Sequence, residues 1–192
     1  MLPAVLCFSC GVPAPHAYVS EPLQGAWTVA VLPLANYSGD RDAPDRVAPI
    51  LAVEIARHRH VRIVDAGKVE EVLAEEPWML ADRIPPDLVD RFGEEMEANA
   101  LLVGSILAHG YREEDGNRIP VVSLSLRLLE TPGGKVLWSA NHSRDGADGE
   151  SIFGLGRVMN LEQLVEETVG EIVDTMPPVV FSEGTIIRRK AG

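Results

Sequence analysis

Short apolar runs alternate with segments of helical spacing along the first half of the chain. Residues 27–34, 61–64 and 100–108 are nearly continuous apolar runs. Such runs are typical of strands that are covered on both faces, as in the middle of an α/β sheet. Because helical segments separate the three runs, they are predicted to be mainly parallel strands joined by helical crossovers.

Three helices are predicted between these strands. Residues 47–55 carry apolar side chains at helical spacing. Asp65 is a suitable N-cap for a second helix, which is predicted to run to about Glu76. The prolines at 85–86 predict the start of a third helix, since proline is tolerated in the first turn.

The second half of the chain shows a different pattern. Residues 122–128 alternate apolar and polar side chains, which predicts a strand with one buried face and one wet face. Turn signals at 115–117 and 131–134 bound this strand. Together with a last strand at 136–141, these segments predict an antiparallel meander.

The clearest helical pattern covers residues 160–176. Asn160 and Gln163 have the spacing of a capping box, and Pro177 ends the pattern. The complete order β-α-β-α-α-β-β-β-α predicts an α/β domain over residues 26–177, in which helices flank a mixed five-stranded sheet.

The amino-terminal segment has the pattern of an export signal. Residues 1–9 are small and apolar, and Cys10 with the residues before it resembles a lipobox. This resemblance implies that Cys10 is lipidated and becomes the first mature residue. The alternative is an apolar terminus with an incidental Cys-x-x-Cys pair. The proline-containing residues 11–25 are predicted to form a tether.

Charge and cysteine content narrow the function classes. The net charge of -12 and the pI of about 4.8 argue against binding to nucleic acid, because phosphates repel such a protein. Both cysteines, Cys7 and Cys10, precede the predicted domain, which therefore has no disulfide and no catalytic thiolate. No apolar run is long enough to cross a bilayer as a helix.

Four segments together resemble the CsgG family of curli-secretion lipoproteins and its relatives, the TolB amino-terminal domain and LpoB. They are Val29–Leu34 with Asn36 and Ser38-Gly39, Val61–Asp65, Ala98–Ile106, and Leu126–Ser139 with its Gly133-Gly134 turn. The resemblance implies a periplasmic α/β domain in an envelope lipoprotein at the outer membrane. It also implies oligomerisation or docking to another envelope protein.

The sequence carries no clear pattern for catalysis, for a cofactor or for a metal. It has no phosphate-binding Gly-x-x-x-x-Gly-Lys loop, and Gly154-Leu-Gly156 is better explained as a turn. His58 and His60 point apart if they lie on a helix end. The acidic residues at 145–150 do not match the spacing of an EF-hand calcium loop.

Binding to other macromolecules is therefore the expected activity. The expected contact surfaces are a polar strand face, a turn-rich loop and the tail 178–192, which suits strand addition to a neighbouring sheet edge. Their candidate residues are Asn36, Tyr37, Ser38, Asp40, Ser123, Ser125, Arg127, Phe181 and Ile186.

The predicted function is a non-enzymatic binding and assembly module for secretion or for biogenesis of the envelope. The alternative is a small hydrolase or nucleotide-binding protein on a flavodoxin-like sheet, since similar sheets support many activities. A deep polar pocket at the carboxyl ends of the parallel strands would favour that alternative.

Overall fold

The computed structural model describes residues 12–59, 61–74, 84–150 and 156–180. The strands are β1 His16–Val19, β2 Leu23–Gln24, β3 Thr28–Val31, β4 Ala35–Asn36, β5 Arg62–Ile63, β6 Ala100–Glu114, β7 Asn117–Glu130, β8 Val136–Asp145 and β9 Val179–Val180. The helices are α1 Ala43–Arg59, α2 Ala66–Leu73, α3 Pro86–Glu95 and α4 Leu161–Asp174.

A mixed sheet of seven strands forms the centre of the fold. Its order is β1-β8-β7-β6-β3-β5, and β4 also pairs with β6. β3 is parallel to β5 and β6, whereas β6, β7, β8 and β1 pair antiparallel in succession. The mixed α/β fold predicted from the sequence is confirmed, but the predicted number of five strands is wrong.

Helices cover the two faces of the sheet unequally. On one face, α1 and α4 pack against β3, β6, β7 and β8 in the larger core cluster, which contains the fully buried Trp138. On the other face, α2 and α3 pack against β3, β6 and the end of β7 in a smaller cluster around Phe92. Among the described residues, helices therefore cover β7 and β8 mainly on one face, and all four residues of the edge strand β1 are exposed.

Two helices begin at the residues that the sequence indicates. The Asp65 carboxylate accepts a hydrogen bond from the Gly67 N–H at 2.9 Å. The Asn160 side chain accepts bonds from the N–H groups of Glu162 and Gln163. The Gln163 side chain donates to Glu167 and does not accept a bond from the Asn160 backbone N–H, so only half of the predicted capping box forms.

The segment predicted to be a tether contains two strands. His16–Val19 pairs antiparallel with β8, and Leu23–Gln24 pairs parallel with Val179–Val180. Leu23 is 1% exposed and belongs to the larger core cluster. Both pairings join residues more than 100 positions apart in the chain, so local periodicity carries no signal for them.

The strands of the meander are longer than the sequence pattern predicts. β6 and β7 form a hairpin of 15 and 14 residues around the turn at Asp115-Gly116, and β8 extends to Asp145. The predicted strands ended at residues 108 and 141 because charged residues follow there. The backbone pairing nevertheless continues through these polar positions: β6 and β7 pair as far as Glu114 and Asn117, and β7 and β8 pair as far as Val121 and Asp145.

Candidate functional site

The polar strand face lies on β7, as the alternation of apolar and polar residues at 122–128 predicts. Even-numbered positions from 122 to 128 are buried in the larger core cluster, whereas Ser123, Ser125 and Arg127 are half-buried on the opposite face. A strand places successive side chains on opposite faces, which accounts for this division. The three residues therefore share the sheet face away from α1 and α4.

β8 and β1 extend this polar face to the edge of the sheet. In the strand register Ser125 lies opposite Asn141, and Asn141 lies opposite His16. The neighbouring row contains Arg127, Ser139 and Tyr18. We call this surface the open face; its members are His16, Tyr18, Ser123, Ser125, Arg127, Ser139, Asn141 and Ser143.

No helix within the described ranges packs on the open face. α1 and α4 lie on the other side of these strands, and α2 and α3 lie on the far half of the sheet. Tyr18 is 57% exposed, and Asn141 and Ser143 are also exposed. The open face thus presents hydroxyl, amide and guanidinium groups that no described helix covers.

The loop from Asn36 to Asp40 is held in one conformation by its own polar groups. The Asn36 amide oxygen accepts hydrogen bonds from the Ser38 N–H and hydroxyl, and its Nδ2 donates to the Asp40 carbonyl. The Tyr37 N–H donates to the carbonyl of Ile106 on β6 at 2.8 Å. The loop thus presents the exposed Tyr37 side chain from a rigid base.

Asp40 connects this loop to a buried histidine. Its Oδ2 lies 2.8 Å from Nδ1 of His109, whose side chain is 1% exposed. A hydrogen bond from the Asp42 backbone N–H and the contact with His109 hold the pKa of the Asp40 carboxyl below its ordinary value. The sequence did not indicate this pair because 69 positions separate the two residues.

A second buried histidine lies under α4 with a buried cation. His142 Nε2 is 2.5 Å from Glu171 Oε2, and the guanidinium of Arg144 bonds the other carboxylate oxygen of Glu171. Glu167 lies 3.4 Å from the same guanidinium. Because Arg144 is only 4% exposed, carboxylates from α4 compensate its charge inside the fold.

The two histidines contact separate carboxylates. His109 bonds Asp40, and His142 bonds Glu171. Among the described residues, no group of three or more histidine, cysteine or acidic side chains is arranged to hold a metal ion. The side chains of His58 and His60 lie outside the described part.

The carboxyl ends of β3 and β5 border an open, mainly apolar groove. It has a volume of about 560 Å³, and its lining includes Leu34, Pro44, Ala52 and Val69. Asp45, Asp65 and Glu70 also line it, and the described part of the lining contains no cationic residue. This lining is not the deep polar pocket that would favour an enzyme or a nucleotide site.

Three of the predicted site residues cannot be placed. Cys10, Phe181 and Ile186 lie outside the described residues. Sequence reasoning in turn missed the part of the open face on β1 and β8. Residues 138–144 do alternate in period two, but His142 and Arg144 on the buried side disguise the pattern.

Among the described residues, no helix has the length and hydrophobicity needed to cross a membrane.

The fold is shared with two bacterial proteins of known structure. The PelC dodecamer from Paraburkholderia phytofirmans matches with a TM-score of 0.61 at 19% identity, over 86% of this chain and 98% of that chain. Lipoprotein GNA1162 from Neisseria meningitidis matches with a TM-score of 0.54 at 22% identity, over 79% of this chain and 100% of that chain.

Sequence comparisons add no closer relative. The chain matches no family model, and no curated protein sequence matches it. The structural likenesses therefore establish the fold, and the resemblance to the CsgG family stays a prediction.

Proposed function

We propose that this chain is a lipid-anchored protein of the bacterial cell envelope that acts by binding other envelope proteins rather than by catalysis. The lipobox-like segment ending at Cys10 and the fold shared with the lipoprotein GNA1162 support the anchor. In this proposal the α/β domain is exported, lies at the periplasmic face of the outer membrane and serves secretion or envelope biogenesis.

The open face is the observation that carries the binding role. A sheet of this kind is most stable when helices or other sheets cover both faces, because apolar side chains then leave water. Here the uncovered half is instead lined by serine, asparagine, tyrosine and arginine. These side chains form hydrogen bonds with water in the free protein and can form hydrogen bonds with a partner.

The rigid loop at Asn36–Asp40 supplies a second contact surface. Its internal hydrogen bonds fix the backbone before binding, so that little conformational entropy is lost when a partner contacts Tyr37. Tyrosine is enriched at the energetically important positions of interfaces because it buries a large ring and keeps a polar group.

The alternative of a small hydrolase or nucleotide-binding protein has weaker support. The groove at the carboxyl ends of β3 and β5 is lined mainly by apolar groups and carboxylates. A nucleotide phosphate in this groove would meet negative charge and no cation, which opposes its binding.

Self-assembly is a second candidate role, and the likeness to PelC favours it. PelC forms a dodecamer, and its match to this chain covers 98% of the PelC chain. Homo-oligomers use complementary surfaces repeated on every copy, and the open face is a continuous surface of that kind. We propose that copies of this chain associate through the open face.

A sedimentation experiment tests the open face. Ser125→Arg with Asn141→Arg places two long cations in the middle of this surface, and Glu71→Arg on α2 is the matched control. We expect the Cys10→Ser protein to sediment as an oligomer, the double variant as a monomer with unchanged circular dichroism, and the control like the parent. A parent that stays monomeric at all concentrations, or a double variant that assembles normally, contradicts the proposal for the open face.

Metabolic labelling tests the anchor. Radiolabelled palmitate is expected to enter the wild-type chain and the Cys7→Ser variant, and to be absent from Cys10→Ser. Equal labelling of all three proteins, or none of wild type, would remove Cys10 from the proposal.

A further inference from the structure

α1 and α4 lie side by side and run in the same direction. At one end of the pair, Asp45 and Arg46 of α1 share a small cavity with Leu161 and Glu162 of α4. At the other end, Arg57 and Asp174 line a common groove. The residue numbers therefore rise together along the two helices, and the groove follows their outer surfaces toward both carboxyl-terminal ends.

The floor of this groove is apolar and open to solvent. Its volume is about 800 Å³, and Pro49, Ile50 and Val53 of α1 line it together with Gly170 of α4. Val53 is 62% exposed, so the floor includes apolar surface that contacts solvent in the described structure. Nothing lies within 4 Å of a Cβ atom added to Gly170, so the glycine leaves space there.

The rim of the groove is strongly acidic. Its charged residues are Glu54, Arg57, Glu166, Glu167, Glu171 and Asp174. Arg57 bonds Glu54 on the same helix, and Arg144 offsets part of the charge of Glu167 and Glu171 from below. The groove as a whole combines an apolar floor with a negative rim, which suits a segment that carries both apolar and cationic side chains.

We propose that this groove binds residues 181–192 of the same chain. That segment, which lies outside the described residues, contains Phe181, Ile186 and Ile187 for the floor. Arg188, Arg189 and Lys190 against the single Glu183 give it a net charge of +2, opposite to that of the rim. Both kinds of complementarity come from one short stretch of sequence.

The position of Val180 allows the contact. β9 follows α4 after a short turn, and Val179 packs against the core cluster that contains the inner residues of α1 and α4. The segment therefore starts on the same side of the sheet as the groove, near its carboxyl-terminal end. Twelve residues can span up to about 40 Å, whereas the 14 residues of α4 extend over only about 21 Å.

Because residues 181–192 belong to the same chain as the groove, individually weak contacts are enough to hold the segment there. Exposed ion pairs each contribute roughly 0–1 kcal/mol and are screened by salt. A tethered segment, however, is present at an effective concentration on the order of mM. Burial of isoleucine against Ile50 and Val53 then adds the apolar contribution that fixes the position of the segment along the groove.

A spin label on the full chain tests this contact. Cys7 and Cys10 are the only cysteines, so a chain with both changed to serine and with Thr185→Cys, a position not assigned to the groove floor, accepts one nitroxide. We expect loss of the amide NMR signals of Val53, Gly170 and Asp174, and little change for Val69 and Glu71 on α2. Undiminished signals along the groove, or losses centred on α2 and α3, overturn the proposal.

A pair of substitutions separates docking in the groove from general charge attraction. Gly170→Trp fills the space above the floor and is expected to restore the signals, whereas Gly170→Ala is expected to leave the losses in place. If the tryptophan variant keeps the full signal loss, the groove is not the binding site.

Two further conditions complete the test. In 1 M salt, where the Debye length falls to about 3 Å, we expect the losses to weaken because the rim no longer attracts the basic residues. A mixture of isotope-labelled chains without nitroxide and unlabelled chains with nitroxide is expected to show no losses along the groove. Losses in that mixture would assign the contact to a neighbouring copy and overturn docking within one chain.

Discussion

The two halves of the central sheet share one covered face and differ on the other. Where α2 and α3 lie on β3 and β6, the strands are apolar at nearly every position. Where no described helix lies on β7, β8 and β1, serine and asparagine occupy alternate positions. A strand that is buried on both faces must exclude polar side chains, whereas a half-covered strand needs only one apolar face. Both halves contribute to the larger core on the covered face, and only the open half has polar positions on its second face that can serve binding.

A similar contrast exists between the two buried histidines. His109 bonds Asp40 of a loop, whereas His142 shares Glu171 with the buried guanidinium of Arg144. The first pair fastens a candidate contact surface to the sheet, and the second helps to compensate a charge inside the fold. Loss of the second pair is thus expected to cost more stability.

Truncation of a side chain in the doubly covered half should have the largest effect on stability. Phe92 is fully buried between α3 and the sheet, so Phe92→Ala is expected to lower the free energy of unfolding by about 3–5 kcal/mol. Tyr18→Ala on the open face should cost less than about 1 kcal/mol. Urea denaturation of both variants measures the difference, and equal losses would contradict the division between the two halves.

Removal of a carboxylate under α4 should have an intermediate effect. Glu171→Gln takes the charged acceptor from His142 and Arg144, and the expected loss is about 1–3 kcal/mol because Glu167 and Asp148 remain near the guanidinium. Glu166→Gln, an exposed change on the same helix, should alter stability by less than about 0.5 kcal/mol. A thermal or urea unfolding curve that does not separate these two variants would show that Arg144 and His142 do not need Glu171 as a partner.

Acidification should weaken the contacts of the Asp40 carboxylate that hold the Asn36–Asp40 loop, and we expect this to be the smallest of the effects on stability. The pKa of Asp40 lies below its ordinary value in the folded protein, so its contribution is complete above about pH 4 and is lost as pH falls through the lowered pKa. The NMR signals of His109 and Tyr37 are expected to shift in that acid range. Asp40→Asn should remove the shift, and Asp87→Asn on α3 should retain it. A transition that survives Asp40→Asn would assign it to another group.

Much of the fold could be predicted from the sequence. The three apolar runs, the alternation at 122–128, the caps at Asp65 and Asn160 and the stripe of α4 all depend on neighbours within a few positions. Local spacing alone therefore predicts the mixed α/β class. The polar face of β7 could also be predicted, because period two at Ser123, Ser125 and Arg127 is a local pattern.

Other features were decided only by pairing between distant segments. β1 becomes a strand because β8 offers a free edge, and β2 pairs with β9 across most of the chain. The His109–Asp40 pair and the placement of Arg144 under Glu171 likewise need the complete sheet before their atoms meet. The sequence by itself determined which residues form helices and strands of strong periodicity, since those preferences are local. Tertiary structure decided the edges, the buried charges and the extent of the open face, because these depend on which surfaces remain unpaired once the core has formed.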